Sequence, residues 1–196
     1  DPPKLQKGFI TIVETTKQGK RFSTSTVAFQ NKSNFDKHGL ERYVDITINR
    51  EKEYQTIIGF GGAFTDAATI NIKSLPEHLS QRLVKDYFAE DGLEYNIGRI
   101  PIGGSDFSTR MYTYDDISNG TDFELKHFKL AEEDIKFKIP IIKSAISVAA
   151  GKISLFGSAW GPPAWMKTNN GTKGVGKLKG SVDGPYYKTW ASYAVK

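Results

Sequence analysis

Three short segments of the sequence gather the residue types that could do chemistry: 59–66 (GFGGAFTD), 99–107 (RIPIGGSDF) and 158–165 (SAWGPPAW). Each follows a short apolar run that reads as a strand, and in parallel sheets function collects at the carboxyl ends of strands. In the second segment Arg99 belongs to the run itself and Asp106 lies just past the Gly103-Gly104 turn, next to Phe107. A carboxylate accepts two hydroxyl hydrogen bonds while an aromatic face covers the apolar side of a ring, the combination by which proteins hold sugars. The same Arg and Asp could instead close a loop as an internal ion pair. In the third segment Trp160 and Trp165 flank Gly161-Pro162-Pro163, a stiff loop suited to presenting an indole as a sugar platform. Core burial of one or both rings is the competing reading, since Trp is usually largely buried.

Other chemistries fail on the residues. Asp66 follows Thr65 as a helix-start residue rather than a catalytic acid. Residues 59–64 imitate a dinucleotide fingerprint, but Phe64 stands where Gly or Ala is needed. Residues 171–177 match the G-x-x-x-x-G-K phosphate loop until Leu178 replaces the Ser or Thr, with no buried strand before and no helix after. Cysteine is absent and none of the three His (His38, His78, His127) has ligand spacing to another, so neither disulfides nor a transition-metal site nor a cofactor is expected. A retaining glycosidase needs two carboxylates about 5–5.5 Å apart. Asp66 and Asp106 are the only acids near strand ends and nothing pairs them, so no catalytic residue is assigned in this chain.

The elements that would position these segments begin near Tyr54. Residues 56–60 (TIIGF), 95–102 (YNIGRIPI) and 153–159 (ISLFGSA) read as strands. Ser74-Leu75-Pro76-Glu77 matches a capping box with an early Pro, and Leu79, Leu83, Val84, Tyr87 and Phe88 recur at helical spacing until Gly92. A polar excursion, 105–134, precedes a helix over about 140–150 that stops at Gly151, and a last amphipathic run carries Tyr186, Trp190, Tyr193 and Ala194. This alternation predicts an α/β fold with a parallel sheet, doubly wound or a (β/α)8 barrel. A barrel takes eight units and roughly 250 residues; three units fit between Tyr54 and Lys196, so the pattern reads as truncated. Before Tyr54, residues 8–16, 21–29 and 40–49 read as antiparallel strands that lack a partner sheet.

The chain of 196 residues carries a net charge of +5, without a Lys/Arg run interleaved with aromatics, so nucleic acid is not an expected partner. Sequons at Asn31, Asn119 and Asn170 lean toward a secreted or lumenal protein.

The stretches 59–71 (GFGGAFTDAATIN), 87–116 (YFAEDGLEYNIGRIPIGGSDFSTRMYTYDD), 123–142 (FELKHFKLAEEDIKFKIPII), 158–169 (SAWGPPAWMKTN) and 177–196 are collinear with, and closely resemble, the glucosylceramidases of glycoside hydrolase family 30. The resemblance implies that 54–196 form the first three units of a (β/α)8 barrel and that 1–53 contribute strands to an attached β-sandwich. It implies hydrolysis of the β-glucosidic bond of glucosylceramide with retention, in the lysosome at its lumenal membrane. Asp106 and Trp160 would bind glucose, Phe107 would wall the pocket, and Arg99 would orient the catalytic carboxylates. The family's acid/base Glu lies in an Asn-Glu-Pro motif on the fourth strand and its nucleophile Glu on a later one, so the 196 residues alone are expected to be inactive. Partners implied are glucosylceramide, an anionic lysosomal membrane surface met by lysines of 167–179, and a saposin-type activator protein. The alternative is a non-catalytic carbohydrate- or glycolipid-binding remnant of the same fold.

Overall fold

The computed structural model describes residues 4–30, 44 and 46–196. The chain divides into two compact units, Asp1–Thr56 and Ile57–Lys196.

In the first unit, strands β1 (Phe9–Glu14) and β2 (Ser23–Ala28) pair antiparallel with Phe9 opposite Ala28 and Glu14 opposite Ser23. The β-branched runs favour this pairing. A Lys20–Glu14 contact of 2.6 Å and an Arg21 bond to the Thr16 carbonyl of 2.9 Å tie off the turn. Among the described residues no second layer covers this hairpin, and Phe9, Ile10, Ile12, Val13 and Val27 remain exposed. Half of the third expected strand, 40–49, lies outside the described residues; its described positions, 44 and 46–49, form no strand.

In the second unit, β3 (Gly61–Ala63), β4 (Ile97–Ile102) and β5 (Ser154–Ala159) form a parallel sheet in that order. Helices α1 (Asp66–Ser74) and α2 (Glu77–Phe88) connect β3 to β4. A long excursion, a π-helical turn (Asp134–Lys138) and α3 (Ile139–Val148) connect β4 to β5. After β5 come a 3₁₀ turn (Ala164–Met166) and α4 (Pro185–Val195).

Two details depart from the sequence reading. The first strand is not 56–60. Its ladder opens only at Gly61, where Asn96 bonds Phe60 through both backbone and side chain, and Ile57, Ile58 and Phe60 are exposed and unpaired with any strand among the described residues. Ser74 does not cap α2 either. It closes α1, donating to the Asn71 carbonyl at 2.7 Å, and α2 starts behind Pro76 with no side-chain cap. Thr65 is the true N-cap of this region, accepting from the Ala68 amide at 3.0 Å.

Two cores hold the unit. Phe64, Val84, Ile141, Ile142 and Ala145, with Phe88, Ile100 and Val148 against them, seal the helices onto one face of the sheet. Gly98 makes that seam possible, since a Cβ there would sit 2.5 Å from the Phe64 ring. The second core, Tyr112, Tyr114, Leu125, Trp165, Met166 and Tyr193, lies among the excursion, the loop after β5 and α4. The excursion that reads as polar in sequence is therefore anchored by its own aromatics.

Candidate functional site

The three strand ends stand side by side, and the pleat decides which side chains share a face. Ala63, Arg99 and Phe156 are in register, and the period of two carries Ser158 and Trp160 to the same side. Gly98, Leu155 and Ile100 take the opposite, helix-covered side. Arg99 thus faces away from the helices, and its guanidinium lies 4.8 Å over the Trp160 ring. Stacking of this kind contributes about 0.5–2 kcal/mol and fixes the indole plane. Among the described residues Arg99 has this ring as its partner and no carboxylate, so the alternative of an Arg99–Asp106 loop-closing pair is not what forms.

Asp106 and Phe107 sit at the tip of a turn whose stem is fixed by backbone bonds. Gly103, at φ +83°, makes the reversal after β4, a conformation that favours glycine. Gly104 then donates to the Tyr112 carbonyl at 3.0 Å, and Ser108 bonds back to the Ser105 carbonyl at 3.2 Å. The Ser108 hydroxyl accepts from the Ser105 amide at 2.7 Å and donates to the buried Asp66 carboxylate at 2.8 Å. Asp66, which opens α1, therefore anchors the turn. The turn in turn presents Asp106 to solvent and leaves Phe107 82% exposed. Asp66 and Ser108 are positioning residues that sequence reading missed; the Ser105–Ser108 spacing was the available signal.

The two tryptophans separate. Trp165 is 7% exposed, donates its indole N–H to the Asp115 carbonyl at 3.1 Å and belongs to the second core. Trp160 is 41% exposed beside Arg99. One ring thus anchors the loop and the other is offered as a platform.

Beneath the excursion, Lys138 is fully buried. It donates to the Pro101 carbonyl at 3.0 Å and pairs with Asp134, whose Oδ1 also accepts from Tyr114 at 2.6 Å. Beside it, Arg110 grips Glu133 through two bonds of 2.7 Å and stacks 4.7 Å over Tyr112. Burial works to raise the Glu133 carboxyl, and the Arg110 hydrogen bonds, a backbone hydrogen bond and the Arg110 and Lys138 charges together outweigh it, holding Glu133 below its ordinary value.

Residues 168–177 form a hairpin-like loop, with Thr168 and Lys177 paired at 2.9 Å and α4 starting only at Pro185. No helix N-terminus follows it, so it lacks the geometry of a phosphate cradle. Of its lysines, Lys167 is buried and Lys179 donates to the Trp165 carbonyl at 2.8 Å and to Asn170 at 2.6 Å. Asn119 is exposed on the excursion, and Asn170 is exposed with its side-chain oxygen held by Lys179. Asn31 lies outside the described residues.

An apolar cleft of about 410 Å³ opens on the helix side, lined by Phe64, Ile72, Leu83, Tyr87, Phe88 and Tyr95 among others. It lacks convergent polar groups, so the strand ends remain the better site.

A family model described as the glycosyl hydrolase family 30 TIM-barrel domain matches residues 57–196. The chain belongs to glycosyl hydrolase family 30. Among relatives in that family's company, putative glucosylceramidase 4 of Caenorhabditis elegans is 41% identical over 98% of this chain and 35% of its own. Lysosomal acid glucosylceramidase of Mus musculus is 43% identical over 100% of this chain and 37% of its own. The chain therefore spans about a third of the length of these relatives. In structure it is similar to SrfJ from Salmonella typhimurium, with TM-score 0.70 at 27% identity, covering 95% of this chain and 39% of that one. It is also similar to the endo-β1,6-glucanase BT3312, with TM-score 0.65 at 26% identity, covering 90% of this chain and 36% of that one. The mixed α/β fold with its parallel sheet is that of a family 30 TIM-barrel domain.

Proposed function

We propose that this family 30 chain forms the sugar-holding side of a retaining β-glucosidase that hydrolyses glucosylceramide to glucose and ceramide in the lysosome. The observation that carries the reading is the strand-end arrangement, with Arg99 stacked under a half-exposed Trp160 and Asp106 held out on a clamped turn. Asp106 accepts glucose hydroxyl hydrogens, Trp160 and Phe107 cover apolar sugar faces, and Arg99 orients the reacting carboxylates electrostatically. In this reading residues 54–196 are the first three units of a (β/α)8 barrel and 1–53 are strands of an attached β-sandwich. The two glutamates of the double displacement come from strands other than these three. The names of the mouse and nematode relatives support the substrate and compartment.

Membrane contact is proposed at the tip of the 168–177 loop. There Val175 is 98% exposed between Lys173 and Lys177, while Lys167 and Lys179 are engaged internally. The reach toward an anionic lumenal membrane surface thus rests on two lysines rather than four, each contributing about 1 kcal/mol near such a surface. A saposin-type activator is the protein partner this reading expects.

The deciding experiment is Asp106→Ala in the intact protein, assayed on glucosylceramide. Loss of a charged hydrogen-bond acceptor to two hydroxyls is expected to raise KM, lower kcat and cut kcat/KM by about 10–100-fold. Unchanged kinetics in a folded variant refute the assignment. The alternative reading is a glycoside-binding protein without hydrolysis, in which Asp106, the solvent-facing carboxylate of segments 64–66, 103–107 and 160–165, holds the sugar. Binding of glucosides by the intact protein without release of glucose would establish it.

A further inference from the structure

The excursion carries a side-chain cluster with no part in the sugar site. Asp115 is 1% exposed, Asp122 is nearly as buried, and one ligand atom from each lies within 4.8 Å of the others and of a ring nitrogen of the exposed His127. Asp122 is partly provided for. Its Oδ2 accepts from the His127 amide at 2.7 Å and lies 2.9 Å from the ring Nδ1. Asp115 is not. Neither of its carboxylate oxygens has a hydrogen-bond partner among the described residues. The donors close by are taken up elsewhere: its own amide by Thr113 at 3.4 Å, and the Trp165 indole N–H by the Asp115 carbonyl at 3.1 Å. Among the described residues no Lys or Arg forms an ion pair with either aspartate; the nearest in sequence, Lys126, bonds Glu124 at 2.7 Å.

A buried carboxylate with no hydrogen-bond partner on either oxygen and no Lys or Arg paired to it is unfavourable, and a cation relieves it. We propose that Asp115, Asp122 and His127 bind a divalent first-row cation, with Zn²⁺ the best match. Two carboxylate oxygens and one imidazole nitrogen are three ligands of the kinds Zn²⁺ takes at about 2.0–2.2 Å, with water in the fourth place. Ca²⁺ and Mg²⁺ prefer six or more oxygens, which this pocket does not offer. Asp115 and Asp122 are rigidly buried, whereas the His127 ring, being exposed, is free to turn Nδ1 from Asp122 toward the ion. The His127 amide stays on Asp122 and holds the carboxylate in place as an outer bond. Bound there, the ion clamps the segment after Tyr114 to the turn before Phe128 and closes the 116–121 loop.

His-to-His spacing in the sequence does not reveal this cluster. Here the partners are aspartates brought together by the loop.

The test is calorimetric titration of the metal-free intact protein with ZnCl₂, with CaCl₂ in parallel, on wild type, Asp115→Asn and His127→Gln. Wild type is expected to show one saturable Zn²⁺ site that Asp115→Asn removes from the stoichiometry and His127→Gln weakens at least tenfold. Zn²⁺ should raise the Tm of wild type and not that of Asp115→Asn. Because Asn deletes a charge that burial disfavours, this variant should fold at least as well as metal-free wild type. Equal Zn²⁺ stoichiometry and affinity in wild type and Asp115→Asn would overturn the site. Calcium binding tighter than zinc would overturn the assignment of the ion.

Discussion

Trp160 and Trp165, five positions apart on one loop, meet opposite fates, and the difference gives a test. Trp165→Ala should destabilise the intact protein by about 3–5 kcal/mol in urea unfolding, since it empties a packed site and strands the Asp115 carbonyl. Trp160→Ala should cost about 1 kcal/mol or less in the same measurement, yet lower kcat/KM by removing the platform and freeing Arg99. Equal stability losses would contradict the division of labour. Lys138 belongs to the same scale. Removing it as Lys138→Ala leaves Asp134 buried without its partner and should cost about 3–5 kcal/mol, read from the urea midpoint.

The excursion between β4 and α3 behaves as an element although it is mostly irregular, because ion pairs and aromatic contacts brace it. Folding holds the Glu133 carboxyl below its unfolded value, so the Arg110 contact stabilises at pH values above about 4.3, the ordinary glutamate range. That contribution is lost as the pH falls below it. Urea unfolding from pH 7 down to 3 should show the stability gap between wild type and Arg110→Ala closing in acid. A gap that stayed constant would mean the pair adds nothing; the gap itself should be modest, as Arg110 is half exposed. At the sheet, Gly98→Ala would drive a Cβ to 2.5 Å from the Phe64 ring and 2.7 Å from Leu155. Overpacking there should cost about 1–3 kcal/mol, measured the same way.

For the unit as a whole, the excursion, the loop after β5 and α4 converge on Tyr193. Its ring stacks on Tyr114 and Trp190, and its hydroxyl accepts from the Tyr114 amide at 2.8 Å. Burial pushes its phenol from 10.0 up to about 12. A raised folded value means the stabilisation is complete below about pH 10 and drains away as the pH climbs to about 12. The urea midpoint should therefore drop across that window in wild type, and drop less in Tyr193→Phe, which has no proton to lose. Identical alkaline profiles would show that Tyr193 does not carry the transition.

What the sequence by itself determined was local. The apolar runs of β4 and β5, the helical spacing of α2, and the glycine that ends the helix before β5 were legible because hydrophobic period and chain punctuation are properties of neighbouring residues. The placing of Asp106 and Trp160 just past strand ends, and of Arg99 within β4, followed from the same pattern. Tertiary structure alone decided that β3 pairs through Gly61–Ala63 and not through the more apolar 56–60, since a parallel strand exists only where a partner's amides are offered. It alone chose Trp160 over Trp165 as the exposed ring, gave Arg99 an indole rather than Asp106 as its partner, and tied the Asp106 turn to Asp66, 42 positions from Ser108. It brought Asp115, Asp122 and His127 together as well. Such contacts depend on burial and on distant residues meeting, and neither is written in the spacing of a single stretch of chain.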